Sequence, residues 1–306
     1  MLYILLAIMI VILLSAYFTY VFTFKARPDR ARDPFILPDR EEYTKDQKFM
    51  HDLIHEMNEV PFERVYTKSF DGLILTGRYI HVKDGAPVQL QCHGYRGNPV
   101  RDFCGGNKLA RETGHNSLVI EQRAHLDSGG NVISFGVNER RDVLSWIEYL
   151  VERFGNDVQI VLSGVSMGAA TVLMAGEYNH KNVKCIVADC PFSSPHAIIK
   201  RVSGEMGIPS FIAMPLEHLG ALLFGRFRLG AASAVEAVKK TSHPILLIHG
   251  EADSFVPCDM SREIKDACAS EVRFETFPDA GHALSFIKDF DRYKRICQEF
   301  FLQHLK

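Results

Sequence analysis

Ser166 stands at the centre of Gly164-Val165-Ser166-Met167-Gly168, a G-x-S-x-G pentapeptide. An apolar run, Val158-Gln159-Ile160-Val161-Leu162, precedes it, and an alanine-rich helix-forming stretch, Ala169 to Glu177, follows. A strand that turns this sharply into a helix leaves room only for glycine on either side of the apex. The serine is thereby pushed out of the sheet with its Oγ exposed and the following N–H pointing the same way. A serine hydroxyl is a weak nucleophile near neutral pH, so acyl transfer at Ser166 needs a base within hydrogen-bond reach and a group that orients that base.

The surrounding pattern describes what would position such a group. Two alternating segments, Glu63–Phe70 and Leu73–Val82, flank Asp71-Gly72, a strong hairpin signal. Strand-like runs then alternate with helical ones. Val88–Cys92 precedes a helical Arg101–Glu112, Ser117–Ile120 precedes Glu139–Phe154, and Val183–Ala188, Ile245–Ile248 and Val272–Phe274 complete the series. Short β-branched runs between helices predict an α/β fold, with a mostly parallel sheet covered on both faces. Between Pro195 and about Gly230 there is no strand pattern, yet the stretch is apolar, and a helical lid over about 195–230 is expected there.

Two further clusters follow in chain order. His249-Gly250-Glu251-Ala252-Asp253-Ser254-Phe255-Val256-Pro257 comes after the Ile245–Ile248 run, and Asp279-Ala280-Gly281-His282 precedes the last helical segment. With His93-Gly94 at an earlier strand end, these motifs resemble the α/β-hydrolase superfamily, and within it the membrane-associated Bem46-like or prolyl-oligopeptidase-like branch. The resemblance spans about residues 62–305. It implies an α/β-hydrolase fold with an eight-stranded-type sheet, Asp253 as orienting acid and His282 as general base. It also implies an oxyanion hole made by the backbone N–H groups of Tyr95, in His93-Gly94-Tyr95, and of Met167. Glu251 and Asp189 are rival acids that the motif position disfavours, while His93 and His249 read as loop-shaping residues. Glu121-Gln122-Arg123-Ala124-His125 with Ser128-Gly129-Gly130 follows the branch's D-x-R-G-x-G-x-S-x-G loosely. Glu replaces Asp, and Ala124 and Leu126 replace two glycines. No His or Cys pair has metal-ligand spacing, and neither metal nor cofactor is expected.

Met1–Phe24 contains no charged side chain and is long enough to cross a bilayer as a helix. No positive n-region precedes it and no A-x-A-like site follows, so an uncleaved anchor is expected rather than a signal peptide. Lys25, Arg27, Arg30 and Arg32 follow it, which by the positive-inside rule puts the rest of the chain in the cytosol. Seven cysteines without a CxxC pair suit reduced thiols. Residues 25–60 read as a proline-punctuated linker and a packing helix around Phe49, Leu53, Ile54 and Met57, and 61–306 as the hydrolase domain. A net charge of −2 with mixed signs points away from nucleic acid. The expected function is a membrane-anchored serine hydrolase cleaving acyl or lipid-like carboxylic esters. The alternatives are a serine peptidase of prolyl-oligopeptidase type and an inactive hydrolase-fold scaffold at the membrane. Dehalogenase and epoxide-hydrolase relatives carry Asp at the elbow and are set aside.

Overall fold

Burial on both faces is what the β-branched runs require, and an eight-stranded sheet supplies it. The computed structural model describes residues 1–27, 33–38 and 41–305; Pro28, Arg30 and Arg32 of the expected linker lie outside them. After α1 (Leu2–Thr23), α2 (Glu41–Thr44) and α3 (Gln47–Glu59) come β1 (Glu63–Lys68) and β2 (Ile74–Ile80). Then follow β3 (Val88–Cys92), α4 (Pro99–Glu112), β4 (Asn116–Glu121), α5 (Glu139–Phe154), β5 (Ile160–Val165), α6 (Met167–Gly176) and β6 (Val183–Asp189). The chain finishes with α7 (Pro195–Glu205), α8 (Ser210–Leu223), α9 (Ala234–Val238), β7 (Ile245–Gly250), α10 (Cys258–Ala267), β8 (Val272–Phe277), α11 (Ser285–Lys288) and α12 (Phe290–His304).

The strand order is β1-β2-β4-β3-β5-β6-β7-β8. The β1–β2 and β2–β4 pairs are antiparallel, and every later pair is parallel. One face of the sheet packs against α5, α6, α9 and α10 around Trp146, Ile147 and Leu173. The other packs against α3, α4, α11 and α12 around Ile54, Phe103, Phe286 and Phe300. In α3 the buried stripe is Met50, Leu53, Ile54 and Met57, whereas Phe49 faces solvent. All seven cysteines are free thiols.

The strand order reverses at β3: β4 is added on one side of β3 and β5 on the other. Such a switch point opens a crevice at the carboxyl ends of the strands. Because Cys92 and Gly164 are register partners, the loops that leave β3 and β5 start side by side. A third apolar cluster joins the end of α1 (Tyr20, Phe24) to Met167 and to α7 and α8 (Ile198, Ile199, Met214), the two helices in the stretch expected to form a lid.

Candidate active site

The turn between β5 and α6 is built as its glycines dictate. A Cβ on Gly164 would meet the Gly168 backbone, and one on Gly168 would meet the Cys92 carbonyl, so helix, turn and β3 touch through backbone alone. Ser166 at the apex has φ 55° and ψ −118°. That left-handed conformation costs a non-glycine residue about 1–3 kcal/mol and is retained at functional sites. Its N–H donates to the Asp189 carbonyl on β6, which fixes the apex against the sheet.

The structure brings Ser166, His282 and Asp253 into one hydrogen-bonded chain. His282 Nε2 lies 2.8 Å from Ser166 Oγ and His282 Nδ1 lies 2.7 Å from Asp253 Oδ2. Asp253 Oδ1 accepts the N–H groups of Phe255 and Val256 at 2.9 and 2.8 Å. Burial alone would raise the Asp253 pKa, but hydrogen bonds from His249 and His282 outweigh it and hold the carboxyl well below the usual carboxylate range. The acid loop follows β7 and the His282 loop follows β8, and these strands are neighbours; Ala252 N–H donates to the Ala280 carbonyl between the loops.

Of the rival acids, Glu251 is exposed and accepts from Thr276 Oγ1 at 2.6 Å. Asp189 is buried at the end of β6 and is hydrogen-bonded by Tyr293; burial raises its pKa to about 6, with nearby His249 pulling it back. Neither sits on His282. His249 does more than shape its loop. Its Nε2 lies 2.8 Å from the Val256 carbonyl and 3.3 Å from Asp253 Oδ2, and its Nδ1 lies 2.6 Å from Ser261 Oγ. The only advance signal was its place in the HGxxD turn, one strand end before the acid. Cys190, which also has a positive φ of 48°, brings its sulfur to within 4.8 Å of the Asp253 and His282 ligand atoms. Both His282 nitrogens are already engaged, and burial pushes the Cys190 thiol well above its ordinary value, so this set does not suit a cation.

The donor loop after β3 is held from three sides. Gly94 N–H donates to Asp102 Oδ2 in the first turn of α4, at 2.9 Å. Arg96 N–H donates to His125 Nε2 at 3.0 Å, and His93 Nε2 accepts from Gln122 N–H at 3.0 Å. Asp102 went unread in the sequence, and Gln122 and His125 were read only as members of the Glu121–Gly130 motif, without these contacts. The N–H groups of Tyr95 and Met167 have no protein acceptor among the described residues. They belong to the two loops that leave β3 and β5 side by side. Tyr95 Oη donates to the Thr23 carbonyl at 2.7 Å and Arg96 Nη2 to the Phe22 carbonyl at 2.6 Å, so the end of α1 abuts this loop.

The neighbouring Glu121–Gly130 loop keeps the turn shape that glycines usually provide, with Ala124 at φ 63° and Leu126 at φ 46°. Arg123 secures it through Asp142, at 2.6 and 2.7 Å, and Asp71. A cavity of about 300 Å³ runs from Ser166 and His282 between the sheet and α4, α11 and α12. Its apolar lining includes Phe103, Leu109, Val187, Phe286, Cys297 and Phe301, and Gln89, Arg101, Asp102, Ser163 and Asp189 are among its polar groups.

Similarity to known proteins agrees with this geometry. The chain is 25% identical over 252 residues to the uncharacterized protein YqkD of Bacillus subtilis, covering 82% of each chain. Among solved structures it resembles the Pyrococcus furiosus esterase Pf2001, with a TM-score of 0.66 at 20% identity over 82% of this chain and 95% of that one. It also resembles the Pyrococcus horikoshii acylaminoacyl peptidase, with a TM-score of 0.60 at 20% identity over 84% of this chain and 44% of the longer peptidase. At these identities the structural likenesses establish the α/β-hydrolase fold. The sequence profile of the X-Pro dipeptidyl-peptidase (S15) family matches residues 34–214, and that of the prolyl oligopeptidase family matches residues 134–306, a segment that contains Ser166, Asp253 and His282. The chain belongs to the prolyl oligopeptidase family, and is thus a serine hydrolase of the α/β-hydrolase superfamily.

Proposed function

We propose that this protein is a membrane-anchored serine esterase acting on acyl or lipid-like carboxylic esters. Ser166 Oγ attacks the ester carbonyl while His282 Nε2 takes its proton, and Asp253 holds the imidazole in the tautomer that can do so. The tetrahedral oxyanion is held by the N–H groups of Tyr95 and Met167. The proton passes from His282 to the leaving alkoxide, and the alcohol departs. A water, deprotonated by His282, then splits the acyl-enzyme and releases the acid.

The observation that carries this reading is the unbroken hydrogen-bonded chain from Ser166 Oγ through His282 to Asp253. The ester preference draws on the largely apolar cavity that starts at Ser166, and the anchoring on the uncharged, membrane-length α1 followed by Lys25 and Arg27. The peptidase reading is favoured by a different observation, the match to two peptidase families.

A fluorophosphonate probe should label the wild-type protein and leave Ser166→Ala unlabelled, with kcat for p-nitrophenyl esters falling by about 10⁶-fold. Equal labelling of both proteins would remove Ser166 from the mechanism. Faster turnover of short aminoacyl p-nitroanilides than of p-nitrophenyl esters would select the peptidase. No reaction of the folded protein with any of these would leave the inactive scaffold.

A further inference from the structure

Helix α1 is 22 residues long, about 33 Å at 1.5 Å per residue, and so only just spans a hydrocarbon core of about 30 Å. Its second half is not free. Thr19 Oγ1 donates to the Leu216 carbonyl at 3.2 Å, and Thr23 Oγ1 to Glu217 Oε1 at 2.9 Å. Gly220 of α8 approaches the Ala16 carbonyl so closely that a Cβ there would collide with it. Leu14, Ser15 and Phe18 border a cleft shared with Ile208, Ala213 and Leu216. Helix α8 therefore lies along α1 from about Leu14 to Thr23, some 15 Å of its length. The part without such contacts, Leu2–Leu13, reaches about 18 Å and cannot span a bilayer alone.

We propose that α8 is itself immersed in the hydrocarbon of the leaflet from which α1 emerges. There it presents Phe211, Ile212, Leu222 and Leu223 to lipid acyl chains. This rests on the anchoring proposed above. If α1 spans, whatever is packed against its last three turns sits at membrane depth, and the surface of α8 fits that setting. Phe211 is 77% exposed, and Ile212, Leu222 and Leu223 are all exposed, with Met206 and Ile208 extending the patch towards α7. A cluster of exposed large apolar side chains on one helix of a folded domain marks a site of contact. Two polar side chains of α8 have partners within the protein: Glu217 is buried and its Oε1 accepts from Thr23, and His218 pairs with His196 at 3.2 Å. Apart from Ser210 and His218, the exposed side chains of the helix are hydrocarbon, as on the apolar face of an interfacial amphipathic helix.

The test uses the full chain in phosphatidylcholine vesicles with and without bromine-labelled acyl chains. The single native tryptophan, Trp146, is fully buried against the sheet and supplies a constant background that also reports the fold. Tryptophan is introduced by Phe211→Trp, by Leu223→Trp, by Leu6→Trp in α1, and by Tyr66→Trp on the exposed edge strand as a control. The expected result is that the Phe211→Trp, Leu223→Trp and Leu6→Trp proteins lose most of the added emission in brominated lipid, while Tyr66→Trp keeps it. If Leu6→Trp is quenched but Phe211→Trp and Leu223→Trp are not, α1 is anchored and the immersion of α8 is wrong. Cross-linking of two copies through unquenched α8 would overturn the proposal in favour of a dimer face. If Leu6→Trp also keeps its emission, the anchoring itself fails and the proposal falls with it.

Discussion

At the scale of single residues, the site depends on which atom of Asp253 faces which partner. Oδ1 is occupied by two backbone N–H groups, and Oδ2 accepts from His282 Nδ1. In Asp253→Asn the amide oxygen can keep the backbone contacts, which leaves the NH₂ facing His282. The imidazole must then carry its proton on Nε2 and can no longer accept from Ser166. We expect kcat to fall by about 10⁴-fold with the melting temperature little changed, measured by ester turnover alongside thermal unfolding. Asp189 invites a different test. Burial raises its pKa to about 6, so the folded state binds a proton there that the unfolded chain releases between about pH 4 and 6. Its contribution therefore favours the folded state below about pH 4 and is lost as pH rises through 6. Asp189→Asn cannot release that proton and still accepts from Tyr293. Relative to wild type it should gain on the order of 2–3 kcal/mol between pH 4 and pH 8, read from unfolding midpoints across that range. A constant difference between the two proteins over that range would contradict the raised pKa.

Among the elements, the loops at the strand ends do the positioning, and they were read unevenly. The G-x-S-x-G turn was legible because the spacing of its glycines is fixed within five residues: Gly164 meets the backbone of Gly168, although Gly168 in turn meets Cys92 on β3. The Glu121–Gly130 loop departs from its family pattern at Ala124 and Leu126, yet both residues take the left-handed backbone of the glycines they replace. The Arg123–Asp142 ion pair and the buried surroundings impose that shape against local preference. Ala124→Gly should therefore raise stability by about 0.5 kcal/mol, since relief of left-handed strain exceeds the added chain entropy. Ala110→Gly, within α4, should lower it by about 1 kcal/mol or more. A stability loss in both variants, measured by denaturant unfolding, would show that Ala124 carries no strain. Asp102, Gln122 and His249 were not legible as site residues. Gln122 acts through His93 on the neighbouring strand end, whereas Asp102 and His249 act within their own turns, through Gly94 and Asp253, in side-chain contacts that no spacing rule announces.

For the molecule as a whole, the cavity and the α1–α8 contact are the features that connect chemistry to substrate. Cys297 is fully buried in α12 and lines the cavity. Cys297→Phe should shorten the preferred acyl chain. The kcat/KM for long-chain p-nitrophenyl esters should drop about fourfold for each methylene no longer accommodated, with the acetate little affected. An unchanged chain-length profile would place the acyl group elsewhere. Local sequence determined the elements themselves, because periodicity and β-branching act over a few residues; Val88–Cys92 and Glu139–Phe154 have the same bounds in sequence and structure. It also determined the motif order that pointed to Ser166, Asp253 and His282. Only the tertiary structure decided that the N–H groups of Tyr95 and Met167 come from adjacent strand ends, that Gln122 meets His93, and that α8 runs along α1. These depend on strand order and helix packing between segments tens to hundreds of residues apart, where burial in a shared core rather than local preference sets the geometry.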